Sequence, residues 1–268
     1  MRNANLMGVS PRTALYESFP GTFLYIGLHK RGSANLKVPI ITNIPDAPAE
    51  LTMTGTEDYA TNIGRQTFNG SSWIISLNSV LLSFLSIPTD GQMFVRTRVN
   101  IPAAPGSAEY LYSIGLQNNS NGYGGYGEYI ATSRSRQQLV KVAGGPVTTL
   151  ANATGTITAA TDTQNCTFWD LKNLTVSNWR NGSSVTSNTL TSNAALIPDP
   201  AVGLAIGVRN DVAAGTTPNP FVNTHPLSDI LFFKPPTGYD MTAHVSALVT
   251  ALLSNKAEPP AYLRHIHG

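Results

Sequence analysis

Between about Trp73 and Lys234 large apolar residues take every second position along short segments, and small or polar residues take the others. Val202-Gly203-Leu204-Ala205-Ile206-Gly207-Val208 is the plainest case. Successive side chains of a strand point to opposite faces, so this segment puts its branched residues on one face and almost nothing on the other. Such a strand belongs in a two-sheet core whose back is closely approached by another layer. The alternation recurs in roughly nine to twelve segments at short spacing, the signature of a β sandwich or jelly roll.

The polar residues are of an unusual kind. Only 12% of the 268 residues are charged, against roughly 25% in ordinary globular proteins. Ser, Thr, Asn and Gly carry the polarity instead. A net charge of +2 with no dense Lys/Arg run argues against a phosphate-binding face, so no nucleic-acid partner is expected. The one cysteine, Cys166, reads as a small buried apolar residue. The longest apolar run, Val80-Leu81-Leu82-Ser83-Phe84-Leu85, is far short of the ~20 residues of a membrane helix, so no membrane insertion is expected. Met1-Arg2-Asn3-Ala4-Asn5 lacks the apolar core of a signal peptide, which points to cytoplasmic synthesis without processing.

Three regions are expected. Residues 1–66 hold short apolar groups punctuated by Pro and Gly, as in Phe19-Pro20-Gly21, and read as an N-terminal arm or small β lobe. Residues 67–238 hold the sandwich. Val95, Thr97, Val99 and Ile101 share one face of a strand and Arg96, Arg98 and Asn100 the other. Tyr110, Tyr112, Ile114 and Leu116 alternate with Leu111, Ser113, Gly115 and Gln117, and Phe168 to Trp179 reads as one longer strand region. Asn181-Gly182 is a hairpin signal, with its return strand over 185–190 and a closing strand over 227–234. Residues 239–268 hold one short helix and a tail. Asp240 can cap the helix, and Met241, Val245, Leu248 and Leu252 form its packing stripe. The fold class is thus an all-β, two-sheet antiparallel jelly-roll sandwich with an extended N-terminal arm and a short C-terminal helix.

Phe94-Val95-Arg96-Thr97-Arg98-Val99 followed by Tyr110-Leu111-Tyr112-Ser113-Ile114-Gly115-Leu116 resembles the concanavalin-A-like lectin/glucanase superfamily, especially its laminin-G-like branch. So do Leu174-Thr175-Val176-Ser177-Asn178-Trp179-Arg180-Asn181-Gly182 and Leu204-Ala205-Ile206-Gly207 with the closing strand Leu227 to Phe233. The likeness covers a little over half of the chain. With neutral polar composition and flanking arms, the whole is similar to virion proteins of tailed bacteriophages. That resemblance implies a non-enzymatic structural or adhesion protein (capsid decoration, collar or tail fibre) located in the virion. It would act by subunit assembly with itself and other virion proteins, as a homo-oligomer. The first alternative is a carbohydrate-binding module for host surface glycan. The second is a glycoside hydrolase of the same fold.

The residues themselves offer little catalysis. Retaining hydrolysis needs two carboxyl groups about 5 Å apart, and the Glu-x-Asp-x-Glu pattern of glycosidases with this fold is missing. Glu109 and Glu128 lie on adjacent strands at best, and Glu57-Asp58 would point to opposite faces of a strand. Asp199, Asn210 and Asp211 read as loop caps rather than calcium ligands. His29, His225, His244, His265 and His267 suggest no zinc site and no triad. Neither cofactor nor metal is expected. The candidate ligand contacts are Tyr123, Tyr126 and Tyr129, which flank glycines in a Gly/Tyr loop, with Trp179 as a weaker one.

Overall fold

Why these segments form sheets, and where each sheet turns its faces, follows from the ladders. The structure, a computed structural model, describes residues 20–28, 36–55, 59–60, 65–68, 72–101, 105, 107–117, 120–150, 157–158, 162–210 and 226–255. Glu57-Asp58, Asp211, His29, His225, His265 and His267 lie outside the described residues. The strands in chain order are β1 (Thr22–Ile26), β2 (Lys37–Thr42), β3 (Glu50–Thr54), β4 (Tyr59–Ala60), β5 (Arg65–Gln66), β6 (Trp73–Ser76), β7 (Gln92–Asn100) and β8 (Glu109–Ile114). They continue with β9 (Gly125–Ile130), β10 (Arg136–Lys141), β11 (Thr148–Leu150), β12 (Asp162–Asp170), β13 (Thr175–Arg180), β14 (Ser183–Thr189), β15 (Leu204–Ile206) and β16 (Leu227–Lys234). Helix α1 (Ser79–Leu85) precedes β7, and α2 (Val245–Asn255) follows a 3₁₀ turn at Thr242–His244.

The first sheet runs β14-β13-β12-β7-β16-β1-β2 and the second β3-β6-β15-β8-β9-β10-β11, with an antiparallel β2–β3 ladder joining them. Every ladder between these strands is antiparallel. Alternate residues of both sheets meet in one core: Leu24, Val95, Val99, Ile230 and Phe232 from the first, Leu111, Tyr112, Ile114, Tyr126 and Leu204 from the second. Tyr112 and Phe232 touch edge to face across the sandwich, with ring centroids 5.5 Å apart. The expected face of Val95, Thr97, Val99 and Ile101 is indeed the inward one. The small residues of the Val202–Val208 run also permit a close approach. A Cβ on Gly207 would lie 2.4 Å from the Phe68 ring, and one on Gly203 would lie 2.3 Å from Ser76 O.

A third layer covers the outer face of the first sheet. Phe23, Tyr25, Phe94, Cys166, Phe168, Leu231 and Phe233 pack against Met241, Val245, Leu248, Val249 and Leu252. The stripe expected at helical spacing is this packing face. The cap residue of the turn leading into α2 is Met241, without a side-chain cap bond, and Asp240 stands one residue before it, its Oδ1 accepting from Thr242 N at 3.0 Å.

Two local expectations change, those for β8 and for Phe168 to Trp179, and two further local features are seen. The run Val80–Leu85 is helical: Asn78 caps α1 by accepting from Leu81 N at 3.1 Å, and seven residues are too few to display a helical period. A bulge between Tyr110 and Tyr112 breaks the expected alternation of β8, so Leu111 and Tyr112 both enter the core and Tyr110 turns out. Phe168 to Trp179 is two strands, β12 and β13, joined by a tight turn at 171–174 in which Leu174 has φ 54°. The described part of residues 1–66 includes β1, which is hydrogen-bonded on both sides, to β2 and to β16. The hairpin at Asn181-Gly182 forms as expected, with φ values of 48° and 87°.

Cys166 lies beneath α2, and burial pushes its thiol up to about 12. That contribution to stability is full below the ordinary thiol value of 9.0 and is lost as pH rises from there toward 12. Leu248→Ala should cost about 2–5 kcal/mol in urea unfolding. It should also speed the alkylation of Cys166 by iodoacetamide at pH 8, which burial should keep slow in the parent chain.

Candidate functional site

The residues expected to form a ligand site are scattered. Tyr123 is 38% exposed in the loop before β9. That loop is clasped from below: Lys141 Nζ donates to Asn121 Oδ1 (2.5 Å) and to the Tyr123 carbonyl (2.9 Å), and Asn121 Nδ2 donates to Asp199 Oδ2 (2.5 Å). Tyr126 is fully buried, packs on Trp169 and donates to Leu85 O at 2.8 Å. Burial raises its phenol well above the ordinary value. Trp179 is buried in the layer under α2. Two of the glycines are strand residues, not hinges. A Cβ on Gly125 would lie 2.4 Å from Ile114 O, and one on Gly127 would lie 2.8 Å from Tyr112 O. Tyr129 faces outward, at the other end of β9 from Tyr123. In the β9–β10 ladder Gln137 faces Tyr129 and Lys141 faces Gly125, so roughly 13 Å of strand separates the two ends.

A different set of side chains does converge, on the outer face of the second sheet. The rings of Tyr110 and Tyr129 lie 5.3 Å apart, tilted by 33°. The Arg209 guanidinium sits 5.8 Å from the Tyr110 ring centroid and donates from Nη1 to the Tyr110 hydroxyl at 3.3 Å. Tyr129 donates to Gln137 Oε1. Burial raises the Tyr129 phenol, and a hydrogen bond with Thr149 opposes that rise. Leu116 and Leu139 form the floor. Tyr129, Gln137 and Arg209 remain partly exposed, and Thr149 is exposed. Tyr110 joins the patch only because of the β8 bulge, and Arg209 arrives from the segment after β15. Neither signal is local in sequence.

Beneath this patch, between the sheets, lies a buried polar cluster. Arg136 forms a two-pronged pair with Glu128 (Nε to Oε1 2.6 Å, Nη2 to Oε2 2.8 Å) and reaches across to Cys166 O at 3.0 Å and to the Thr167 hydroxyl. Gln138 Nε2 donates to Asn178 Oδ1 at 2.8 Å, a second bridge between the sheets. Glu128 is therefore a structural carboxylate.

Other acidic groups are also engaged in local structure. Thr242 Oγ1 lies 3.1 Å from Asp170 Oδ2 and 2.6 Å from Asp240 Oδ1. Asp170 also holds Asn173 through its backbone and side-chain nitrogens. The Lys172 ammonium, with Thr242 and Gln92, holds the Asp240 carboxyl far below the usual range. Asp199 accepts from Ala201 N (2.9 Å), and Asn210 donates to Val202 O (2.7 Å), so both act as loop caps. His244 stacks on Tyr239. Among the described residues no three His, Cys, Asp or Glu side chains are grouped to hold a metal ion.

No protein-family model and no curated protein matches the sequence. Solved structures do match. A mutant of Trypanosoma rangeli sialidase displaying trans-sialidase activity is 12% identical over 88% of this chain and 33% of its own, with a TM-score of 0.52. The K499G mutant of NanB sialidase from Streptococcus pneumoniae is 15% identical over 72% of this chain and 27% of its own, with a TM-score of 0.45. A heptameric SAP-like pentraxin from Limulus polyphemus is 12% identical over 78% of this chain and 75% of its own, with a TM-score of 0.40. The chain thus spans about a third or less of the sialidases' length. Identity this low shows the fold alone: a lectin-type β sandwich, in line with the concanavalin-A-like resemblance.

These neighbours overturn the expectation of a phage structural protein acting by subunit assembly. The one of the three with a TM-score above 0.5 is a sialidase, and nothing in it supports a virion part. The neutral composition that suggested assembly has another physical origin. Hydroxyls and amides fill the edge strand β14, and many of the few charges are buried.

Glu128→Gln should destabilise the fold by about 3–5 kcal/mol, because it leaves Arg136 buried without its counter-charge. A Glu128→Leu/Arg136→Met double variant should recover most of that loss in the same denaturation series.

Proposed function

We propose that the protein binds a saccharide on the outer face of its second sheet, against Tyr110 and Tyr129, and does not cleave it. The observation that carries this reading is the paired tyrosines with Arg209, Gln137 and Thr149 around them. A sugar ring has an apolar face of C–H groups and a rim of hydroxyls. An aromatic ring matches the first, and planar amide and guanidinium groups match the second. Among the described residues the first sheet offers no equivalent surface, since α2 roofs its aromatic residues. The Tyr123 loop takes no part, because it lies at the far end of β9.

A hydrolase reading would turn on paired carboxylates. Glu128 is neutralised by Arg136 inside the core. Asp240 is held ionised by Lys172, so it makes a poor proton donor to a leaving group, and Asp170 is occupied by Asn173 and Thr242. Binding without turnover is the reading these groups support.

The test is a panel of immobilised neutral and acidic oligosaccharides probed with the full chain. Binding to at least one member is expected, with Tyr129→Ala and Arg209→Ala each weakening it at least tenfold, or about 1.4 kcal/mol. Tyr123→Ala should leave it unchanged. Silence across the panel, or binding indifferent to Tyr129 and Arg209, would sink the proposal, and release of reducing sugar would replace it with hydrolysis.

A further inference from the structure

Three rows of side chains cross the outer face of the first sheet over β12, β7 and β16. They are Phe168–Phe94–Phe233, then Cys166–Arg96–Leu231, then Gln164–Arg98–Asp229. The helix α2 covers the apolar rows. Its last turn overhangs the polar row, where Leu253 is 39% exposed. Beneath that overhang is a cavity of about 170 Å³ lined by Arg98, Asp162, Gln164, Asn181, Ser228 and Leu253, among others.

The hydrogen bonds in this corner do not close. Asp229 is saturated: it accepts from Arg96 Nη2 (2.6 Å), from Arg98 Nε (2.6 Å) and Nη2, and from the Tyr25 hydroxyl (3.4 Å). One buried carboxylate thus serves two guanidinium groups and leaves an excess positive charge among these three groups, faced only by the exposed Asp162 at the cavity rim. Among the residues that line the cavity, the buried side-chain atom without a partner is a donor, Gln164 Nε2, and the neighbouring Arg96 leaves Nε and Nη1 unpartnered beneath it. Gln164 is only 6% exposed, and its backbone is pinned to Asn181 on both sides, N to Oδ1 at 2.9 Å and O from N at 2.9 Å. Arg98 gives Nε and Nη2 to Asp229 and also bonds the Tyr25 hydroxyl, and its guanidinium lines the cavity. Buried donors are rarely left unmade. A water could serve Gln164 but would not offset the charge, whereas a carboxylate does both.

We infer that this cavity is a second binding site, for a small hydroxy acid whose carboxylate seats on Arg98 and Gln164. Its volume is below that of drug-sized pockets, which selects a small ligand. Asp162 at the rim, already accepting from Asn100 Nδ2 at 2.8 Å, repels a second carboxylate and accepts a hydroxyl. The inference does not depend on the saccharide reading, which concerns the other sheet.

The test is calorimetric titration of the full chain with glycerate, acetate and glycerol. Saturable glycerate binding is expected below about 10 mM, at least tenfold tighter than acetate, with glycerol not binding. Gln164→Leu removes an unpaired donor, so it should keep the melting temperature and lose at least tenfold in glycerate affinity. Leu253→Trp, on the exposed end of α2, should fill the cavity and abolish binding without altering the sheet. Tyr129→Ala should change nothing here. No saturable glycerate binding, or binding unaffected by both Gln164→Leu and Leu253→Trp, would overturn the inference. Equal binding of glycerol would also overturn it, and equal binding of acetate would remove the hydroxyl from the ligand.

Discussion

Arg136 holds the two sheets face to face. Its guanidinium pairs with Glu128 on the neighbouring strand of its own sheet and donates across the core to Cys166 O and Thr167. A buried ion pair is costly to desolvate and adds little net stability over an apolar pair of the same shape. What it adds is position. Apolar side chains can slide past one another at small cost, whereas a two-pronged guanidinium with fixed acceptors on the opposite sheet cannot. With Gln138–Asn178 beside it, it sets which residues of β9 and β10 oppose which residues of β12 and β13. The outward faces of all four strands follow from that choice.

The two outward faces then have different fates. On the first sheet the outward row of aromatic residues is too large and apolar to meet water, and α2 covers it. Where the row turns polar, at Arg98, Asp229 and Gln164, the cover thins and a cavity remains. On the second sheet the outward residues are small near β15 and become aromatic and polar near β9 and β10. There Tyr110, Tyr129 and Arg209 form a partly exposed patch with an apolar floor. The binding readings of the two surfaces thus rest on where the cover stops.

Much of the fold was legible in the sequence. The period-two alternation located β6, β7 and β16, Asn181-Gly182 located the β13–β14 hairpin with its return strand, and the stripe from Met241 to Leu252 located α2 and its buried face. The misses share a cause. Tyr126 reads as a flexible loop residue because glycines flank it, but Gly125 and Gly127 are small so that strands can pack closely. The bulge in β8 inserts one residue without a marker in the sequence, and it puts Tyr110 and Tyr112 on opposite faces. The candidate site was legible in one residue, Tyr129. Its partners Tyr110 and Arg209 are brought to it by a bulge and by a crossing segment, and neither has a local pattern.

The scarcity of charge has its explanation in the same arrangement. Arg96, Glu109, Glu128, Arg136, Lys141, Asp170, Asp199 and Asp229 are all buried, so a large share of an already small set never reaches the surface. Charges in such positions set register and clasp loops, as Lys141 does for the Tyr123 loop and Asp229 does for two arginines. The surface is left mostly to hydroxyls and amides, with a few tyrosines and scattered charges such as Asp90, Lys172 and Asp240. Such a surface has weak long-range fields, so it neither steers charged macromolecules nor repels neutral ones. Recognition must then come from short-range fit: stacking on rings, hydrogen bonds to planar groups, and individual unpaired donors such as Gln164. Ligands suited to those terms are small and rich in hydroxyl groups, and both proposed sites point to that chemistry from opposite sides of the molecule.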